Sequence, residues 1–238
     1  MLCNTFGVLS GTLISEPRAD VDVDLVRFLK LASEWAEKIL VTPCGDGVRF
    51  LAVKSDWFVG VEYVSSPLDG LSAPIVAKLP GRMEVESAEV RDGKLVIRSK
   101  GGEEIVLGEP TDMKWRPPRA EKWYGFPLEA FREVLRFAGW RRKGWRGRGL
   151  PEEYCCLEVK GEKLYIGACG RMFFALLRGC EEEFRVSVKL SLLAEALEAF
   201  EMAGLKPGSI AFTRGERRAV LIQLRGGWLK AYIPAALE

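Results

Sequence analysis

The chain has 238 residues, of which 48% are hydrophobic and 29% are charged, a composition that supports a packed interior and excludes a disordered chain. Its apolar runs are far shorter than the roughly 20 residues of a membrane-spanning helix, and its N-terminus lacks the pattern of a secretory signal. We therefore expect a cytoplasmic protein with no membrane contact.

Catalytic and metal-binding chemistry is restricted because the sequence contains no histidine. This removes the nucleophile and histidine pairs of most hydrolases, and the six cysteines form no CxxC pair that would bind zinc. Phosphate-binding loops of the GxxxxGK and GxGxxG types are also missing. We expect a protein that is not an enzyme and binds no metal or cofactor. A lysine base, a carboxylate pair or a reactive thiol is the remaining catalytic alternative, although the cysteines of the strand patterns fit small core residues.

The first half of the sequence predicts an amphipathic helix followed by strands. Residues 22–39 place apolar side chains at the spacing of a helix, and Asp22 or Asp24 can cap it. Glycine turns punctuate two predicted β-meanders, over residues 39–64 and 83–108. Residues 72–82 between them contain two prolines and can form at most a turn or two of helix.

Residues 111–123 interrupt this pattern with paired prolines and mixed charge, which suit neither a helix nor a central strand. The charge balance changes in the same region, because residues 1–118 carry 14 basic and 18 acidic side chains and residues 119–238 carry 21 and 15. We therefore divide the chain into an N-terminal domain (1–110), an interdomain connector (111–123) and a C-terminal domain (124–238).

The second half has a similar order of elements. Residues 126–140 and 189–204 predict two further amphipathic helices, with Pro127 near the start of one and Gly204 at the end of the other. Strands are predicted over residues 155–160, 163–169 and 172–179, and a further meander closes the chain. The similar order in both halves predicts a duplicated α+β fold.

The C-terminal half resembles a domain of the DNA sliding clamps. The resemblance is to the two-domain type, the proliferating cell nuclear antigen family, with similarity to the bacterial β clamp. It is carried by FPLEAFREVLR, LEVKGEKLYIGACGRMFFALL, VSVKLSLLAEAL and the terminal LKAYIPA, and in the first half by FLAVKSDWFVGVEYV. Two departures from the family pattern are Gly170 and Arg171, which stand at its Asp-containing turn, and the largely missing second helix of the first domain.

This resemblance implies an α+β fold of two similar clamp domains, each built from a helix and antiparallel meanders. It also implies a homotrimeric ring that encircles duplex DNA without reading its sequence and tethers a DNA polymerase or another client, with a clamp loader as a further partner. The alternative is a nucleic-acid-binding protein that forms no ring and uses the basic cluster at residues 141–148.

Basic residues on helices are the predicted DNA contacts, because a sliding ring must attract phosphates. Residues 141–148 contain five basic residues among glycines and Trp145, more than solubility requires. The third predicted helix opposes this interpretation, since Glu195, Glu198 and Glu201 would repel phosphates. The predicted contacts are Arg27, Lys30 and Lys38 on the first helix, Arg132 and Arg136 on the second, and Arg141, Arg142, Lys143, Arg146 and Arg148 after it.

The resemblance further implies a groove for client peptides and a joint between subunits. The groove positions are Val59, Gly60, Met113, Trp115, Pro117, Tyr232, Ile233, Pro234 and Ala235. The joint would pair two edge strands, and the matching positions are Ile105, Val106 and Leu107 in one and Phe173, Phe174, Ala175, Leu176 and Leu177 in the other. Both segments also fit buried apolar strands, so an interior position in their sheets is the alternative.

Overall fold

The computed structural model describes residues 22–45, 47–54, 59–65, 70–113, 116–139, 154–214 and 219–238. The helices within these ranges are α1 (Val23–Trp35), α2 (Leu128–Phe137) and α3 (Leu190–Met202). The strands of the first half are β1 (Lys38–Cys44), β2 (Gly47–Lys54), β3 (Val59–Ser65), β4 (Ile75–Ala77), β5 (Val85–Arg91), β6 (Lys94–Ser99), β7 (Glu104–Leu107) and β8 (Glu109–Pro110). Those of the second half are β9 (Tyr124–Gly125), β10 (Tyr154–Lys160), β11 (Lys163–Ala168), β12 (Arg171–Leu176), β13 (Glu183–Lys189), β14 (Ser209–Arg214), β15 (Ala219–Gly226) and β16 (Leu229–Leu237).

Helix α1 forms where the sequence supplies both a cap and an apolar face. The Asp22 carboxylate accepts a hydrogen bond from the Leu25 N–H at 3.0 Å, and the Tyr63 hydroxyl donates to the same carboxylate at 2.7 Å. The helix then buries Phe28 and Leu29 completely against the sheet. Its start is therefore fixed by local capping and by one contact from a distant strand.

The end of α1 differs from the prediction. The helix stops at Trp35 because Ala36 takes an extended conformation, and the chain enters β1 two residues later. Ile39 and its neighbours then pair with β2, a pairing that suits their branched and apolar side chains. Lys38, predicted to share the polar face of the first helix, is instead the first residue of β1.

The strand order is the same in both halves. Along its hydrogen-bonded neighbours, the main sheet runs β12-β11-β10-β13-β16-β3-β2-β1-β4-β8. In each half, the four strands that follow the first helix lie side by side in the order third, second, first and fourth, counted along the chain. The last strand of the half pairs with the fourth of these. Strands β5, β6 and β7 form a separate antiparallel sheet, and β15 links β14 and β9 to β16. The topology therefore carries the duplication that the element order predicts, in an α+β fold.

The halves differ in one connection. Helix α3 joins β13 to β14 in the second half, whereas residues 78–84 between β4 and β5 contain no helix. This agrees with the expectation of at most a turn or two of helix there, although the short strand β4 was not predicted.

The three helices lie side by side on one face of the main sheet. Helix α1 packs on β3 and also on β5 of the three-stranded sheet, and α3 packs on β3, β13 and β16. Trp35 Nε1 of α1 donates a hydrogen bond to the main-chain oxygen of Glu195 in α3 at 3.1 Å. Arg132 of α2 forms an ion pair with Glu201 of α3 at 3.3 Å. Helix α3 is therefore the middle member of this helix row.

The two halves are joined through β3 and β16, which pair Glu62 with Lys230 and Gly60 with Tyr232. The carboxylate of Glu62 is buried at this joint. The Tyr232 hydroxyl donates to it, Arg49 pairs with it, and Lys230 Nζ lies 4.0 Å away. Burial and the nearby Glu62 charge raise the pKa of Tyr232 above its usual range, so its hydroxyl stays a donor.

Replacing Tyr232 with Phe tests this joint. The change should lower the free energy of unfolding by about 1–3 kcal/mol, because it removes a hydrogen bond to a buried carboxylate. Urea denaturation of the full chain measures the effect. The matched control is Tyr154→Phe, since Tyr154 is exposed and its hydroxyl should contribute less than about 0.5 kcal/mol. Equal midpoints for Tyr232→Phe and the wild type would contradict a stabilising role for this contact.

Candidate functional site

The helix row contains more acidic than basic residues. Together α1, α2 and α3 carry four basic and seven acidic side chains, and α3 contributes three acidic and no basic residues. Lys54 Nζ lies 3.5 Å from Glu198 of this helix, and Arg132 lies 3.3 Å from Glu201. These ion pairs partly neutralise the carboxylates of α3 and so reduce their repulsion of DNA phosphates. The three helices together still carry no excess of positive charge.

The two arginines of α2 have different surroundings. The Arg132 side chain is only 15% exposed and donates to Glu129 at 2.8 Å and to Glu201 at 3.3 Å. Arg136 is exposed in the last turn of the same helix. Arg132 therefore holds α2 against α3, whereas Arg136 is accessible to a ligand.

The other predicted DNA contacts do not share one element. Arg27 and Lys30 are exposed on α1, where Arg27 pairs with Asp24 at 3.1 Å. Lys38 is exposed at the start of β1. Arg141, Arg142, Lys143, Arg146 and Arg148 lie outside the described residues.

Strand β12 of the predicted joint lies at a sheet edge. Among the described strands it pairs with β11 alone, at one end of the main sheet. Met172, Phe174 and Leu176 are 66%, 54% and 51% exposed on one of its faces. Ala175 is buried, as is Leu177 just after the end of β12. Phe173 is half-buried, and the centre of its ring lies 6.0 Å from that of Phe137 in α2. The edge thus presents a continuous apolar stripe.

The first-half segment of the predicted joint lies at an edge of the other sheet. Ile105, Val106 and Leu107 belong to β7, which pairs with β6 in the three-stranded sheet. The strand that ends the main sheet in the first half is β8, which pairs with β4. Gly108 alone separates β7 from β8. The segment therefore borders two sheets, and the strand that ends the main sheet begins two residues after Leu107.

The positions predicted for a client-peptide groove do not form one exposed surface. The buried ones are Val59, Gly60, Tyr232 and Ile233. The half-buried ones are Pro117, Pro234 and Ala235, Met113 is exposed, and Trp115 lies outside the described residues. The burial has a clear cause, because β16 pairs with β15 along nearly its whole length and is an interior strand rather than a free tail. The inward alternation of Leu229, Ala231 and Ile233 was the signal that sequence reasoning missed.

The connector is anchored at both ends. The Thr111 N–H donates to the Pro74 carbonyl at 3.0 Å, next to β4. The Gln223 side chain of β15 donates from Nε2 to the Pro118 carbonyl at 2.9 Å. A small apolar cluster of Leu40, Leu51, Val53 and Tyr232 lies on the sheet face away from the helices, separate from the main core. The connector therefore spans from the β4 and β8 edge to β15.

The cysteines give little support to thiol chemistry. Burial raises the pKa of the Cys155 thiol to about 12, so it stays protonated at neutral pH. Cys156 is half-buried and accepts a hydrogen bond from Arg185 Nε at 2.9 Å. Cys169, predicted in the core, is instead exposed in a turn at φ 51°. Within the described residues, no three metal-ligating side chains cluster, and no helix has the length and apolarity to span a membrane.

Comparison with known proteins establishes the fold. No family model and no curated protein sequence matches the chain. The DnaN sliding clamp (DNA polymerase III subunit beta) of Pseudomonas aeruginosa bound to griselimycin matches with a TM-score of 0.55 and 13% identity, over 90% of this chain and 62% of that one. Proliferating Cellular Nuclear Antigen of Entamoeba histolytica matches with a TM-score of 0.50 and 9% identity, over 90% and 94%. The PCNA2-PCNA3 complex of Sulfolobus tokodaii gives 0.50 and 10%, over 90% and 95%.

These identities are low, so the likeness concerns the fold. The chain has a divergent sliding-clamp fold, as its sequence predicts, and it spans 62% of the length of the bacterial clamps it matches.

The two arginines of α2 provide a matched test of the helix row. Arg132→Gln should lower the free energy of unfolding by about 1–3 kcal/mol, because it removes a charged contact with Glu201 at a partly buried position. Arg136→Gln, on the same helix, should change stability by less than about 0.5 kcal/mol. Chemical denaturation of both variants measures the difference. Equal losses would contradict the distinction drawn from their exposure.

Proposed function

We propose that this protein is a sliding clamp, a non-enzymatic homotrimeric ring that encircles duplex DNA and tethers a DNA polymerase or another DNA enzyme. The observation that carries the proposal is the repeated strand order, which leaves β12 at one end of the main sheet and β8 at the other. Two different free ends on one chain allow head-to-tail pairing, which closes into a ring when the rotation permits. The likeness to solved clamps over 90% of the chain supports this interpretation.

The joint would pair β12 of one subunit with β8 of the next. A monomer would leave Met172, Phe174 and Leu176 exposed on an unpaired edge, which is an aggregation hazard that pairing removes. Ile105, Val106 and Leu107 would then flank the joint, because only Gly108 separates β7 from β8. This refines the joint implied by the sequence without changing the strand that the neighbour contributes.

The DNA-facing surface would be the helix row. Because its helices hold an acidic excess and Arg132 is engaged with Glu201, attraction of phosphates would rest on Arg27, Lys30 and Arg136, and above all on residues 141–148. Lys38, exposed on β1, would add to this positive charge. A non-ring DNA-binding protein remains the second candidate, and the acidic excess on the helices favours it.

Clients and a clamp loader would dock at the connector. Met113 is exposed there, and an exposed apolar side chain at the rim of a sheet suits anchoring of a partner peptide. Trp115 and Pro117 belong to the same proposed surface, whereas Tyr232 and Ile233 would support it from the interior.

The oligomeric state tests the ring. The wild type should have the mass of a trimer, about 80 kDa from chains of 26.6 kDa, by light scattering. The double change Met172→Glu and Leu176→Glu should give folded monomers, because it places charges on the apolar edge of β12. Val64→Glu is the matched control, since Val64 is 45% exposed on β3, a strand paired on both sides within the main sheet, and this variant should stay trimeric. A monomeric wild type would favour the non-ring protein, and a trimeric double variant would place the joint elsewhere.

The salt dependence of DNA binding tests the proposed contacts. Replacing Arg141, Arg142, Lys143 and Arg146 with Ala should lower the slope of log affinity against log salt by up to about 0.9 for each lost phosphate contact. Replacing Lys94 at the start of β6 and Lys100 in the turn after β6, both exposed, should leave the slope unchanged. An unchanged slope in the fourfold variant would exclude the cluster, and strong preference among duplex sequences would contradict a sliding clamp.

A further inference from the structure

A cavity of about 670 Å³ lies between the connector and the end of the first-half sheet. One wall is formed by the ends of β1 and β2 and by the residues that lead into β4. The other wall is formed by Thr111, Asp112, Arg116 and Pro117 of the connector. Its volume is within the range of sites that hold small molecules.

The cavity wall contains a buried polar group that needs a partner. Thr42 of β1 is 7% exposed, and its Oγ1 has no hydrogen-bond partner among the described residues. A buried hydroxyl that makes no hydrogen bond destabilises the folded protein. Since Thr42 lines the cavity, a ligand there would supply the missing partner.

The charges around the cavity indicate what kind of ligand fits. Arg116 on the connector and Arg49 on β2 line opposite walls of the cavity. Arg49 also contacts Glu62, whereas Arg116 is exposed. Guanidinium groups bind carboxylate and phosphate oxygens strongly, often through two parallel hydrogen bonds. The Asp112 carboxylate on the same wall accepts hydrogen bonds and so favours a ligand that also carries hydroxyl or amino donors.

We propose that this cavity binds a small organic oxyanion that also carries hydrogen-bond donors, such as a hydroxycarboxylate or a sugar phosphate. The oxyanion meets Arg116 and Arg49, its donor groups meet Asp112, and Thr42 completes its hydrogen bonds. The ligand would bridge the connector to the first-half sheet and so hold the connector in place. The cavity shares Pro117 with the surface proposed for clients, but binding of a small anion needs neither a ring nor DNA and can be measured separately.

Calorimetric titration of the full chain tests the proposal, with citrate, ribose 5-phosphate and uncharged ribose as probes at constant ionic strength. At least one anionic probe should bind saturably, and ribose should not. Arg116→Gln should weaken that binding roughly tenfold or more, because it removes a charged hydrogen bond. The matched control is Arg119→Gln, an exposed connector arginine that does not line the cavity, and it should bind as the wild type does.

A second variant separates the site from a general effect of charge. Thr42→Val should weaken binding of the anionic probe while raising the thermal midpoint of the ligand-free protein, since it removes a buried hydroxyl without a partner. Binding of citrate alone identifies a carboxylate site, and binding of ribose 5-phosphate alone identifies a phosphate site; both support the proposal. Absence of saturable binding up to about 10 mM of either probe would overturn it, as would equal binding by the wild type, Arg116→Gln and Thr42→Val.

Discussion

The antiparallel pairing of β3 with β16 is the constraint on which the rest of the structure depends. It joins two halves with the same strand order into one sheet, and so places β12 and β8 at the two ends. It also brings α3 of the second half against α1 of the first, where Trp35 reaches the main chain at Glu195. The buried Glu62 carboxylate makes this pairing selective, because its partners Arg49 and Tyr232 come from different halves and a buried charge without partners is costly.

The two faces of the sheet are covered by different means, and this decides what each can do. The helix row covers one face, and charged contacts such as Lys54 with Glu198 and Arg132 with Glu201 hold its members together. Those contacts occupy positive charge that would otherwise attract phosphates. The connector spans the sheet from the β4 edge to β15, and the polar groups Thr42 and Gln223 lie along its path. The ion pairs that hold the helix row together therefore reduce the positive charge that this face offers to an anion.

Local patterns in the sequence predicted most elements. The 3.6-residue spacing in residues 22–39, 126–140 and 189–204 predicted all three helices, and glycine turns separated most of the strands. Strand β13 was missed because it runs into α3 without a turn residue, although its inward Val186 and Val188 alternate as a strand requires. The short strands β4, β8 and β9 were missed because two or three residues carry no periodicity, and they form only through pairing with distant partners.

The sequence by itself determined the α+β class, the repeated order of elements and the segments able to form sheet edges, because these depend on spacing and turn residues within short windows. Tertiary structure decided the rest of the candidate site. Only the contact between α2 and α3 distinguishes Arg132 from Arg136, which have the same helical surroundings in sequence. Likewise, only the pairing of β16 with β15 and β3 buries Tyr232 and Ile233. Exposure and charge pairing depend on residues more than 50 positions apart, as Arg132 and Glu201 are, and no local pattern encodes them.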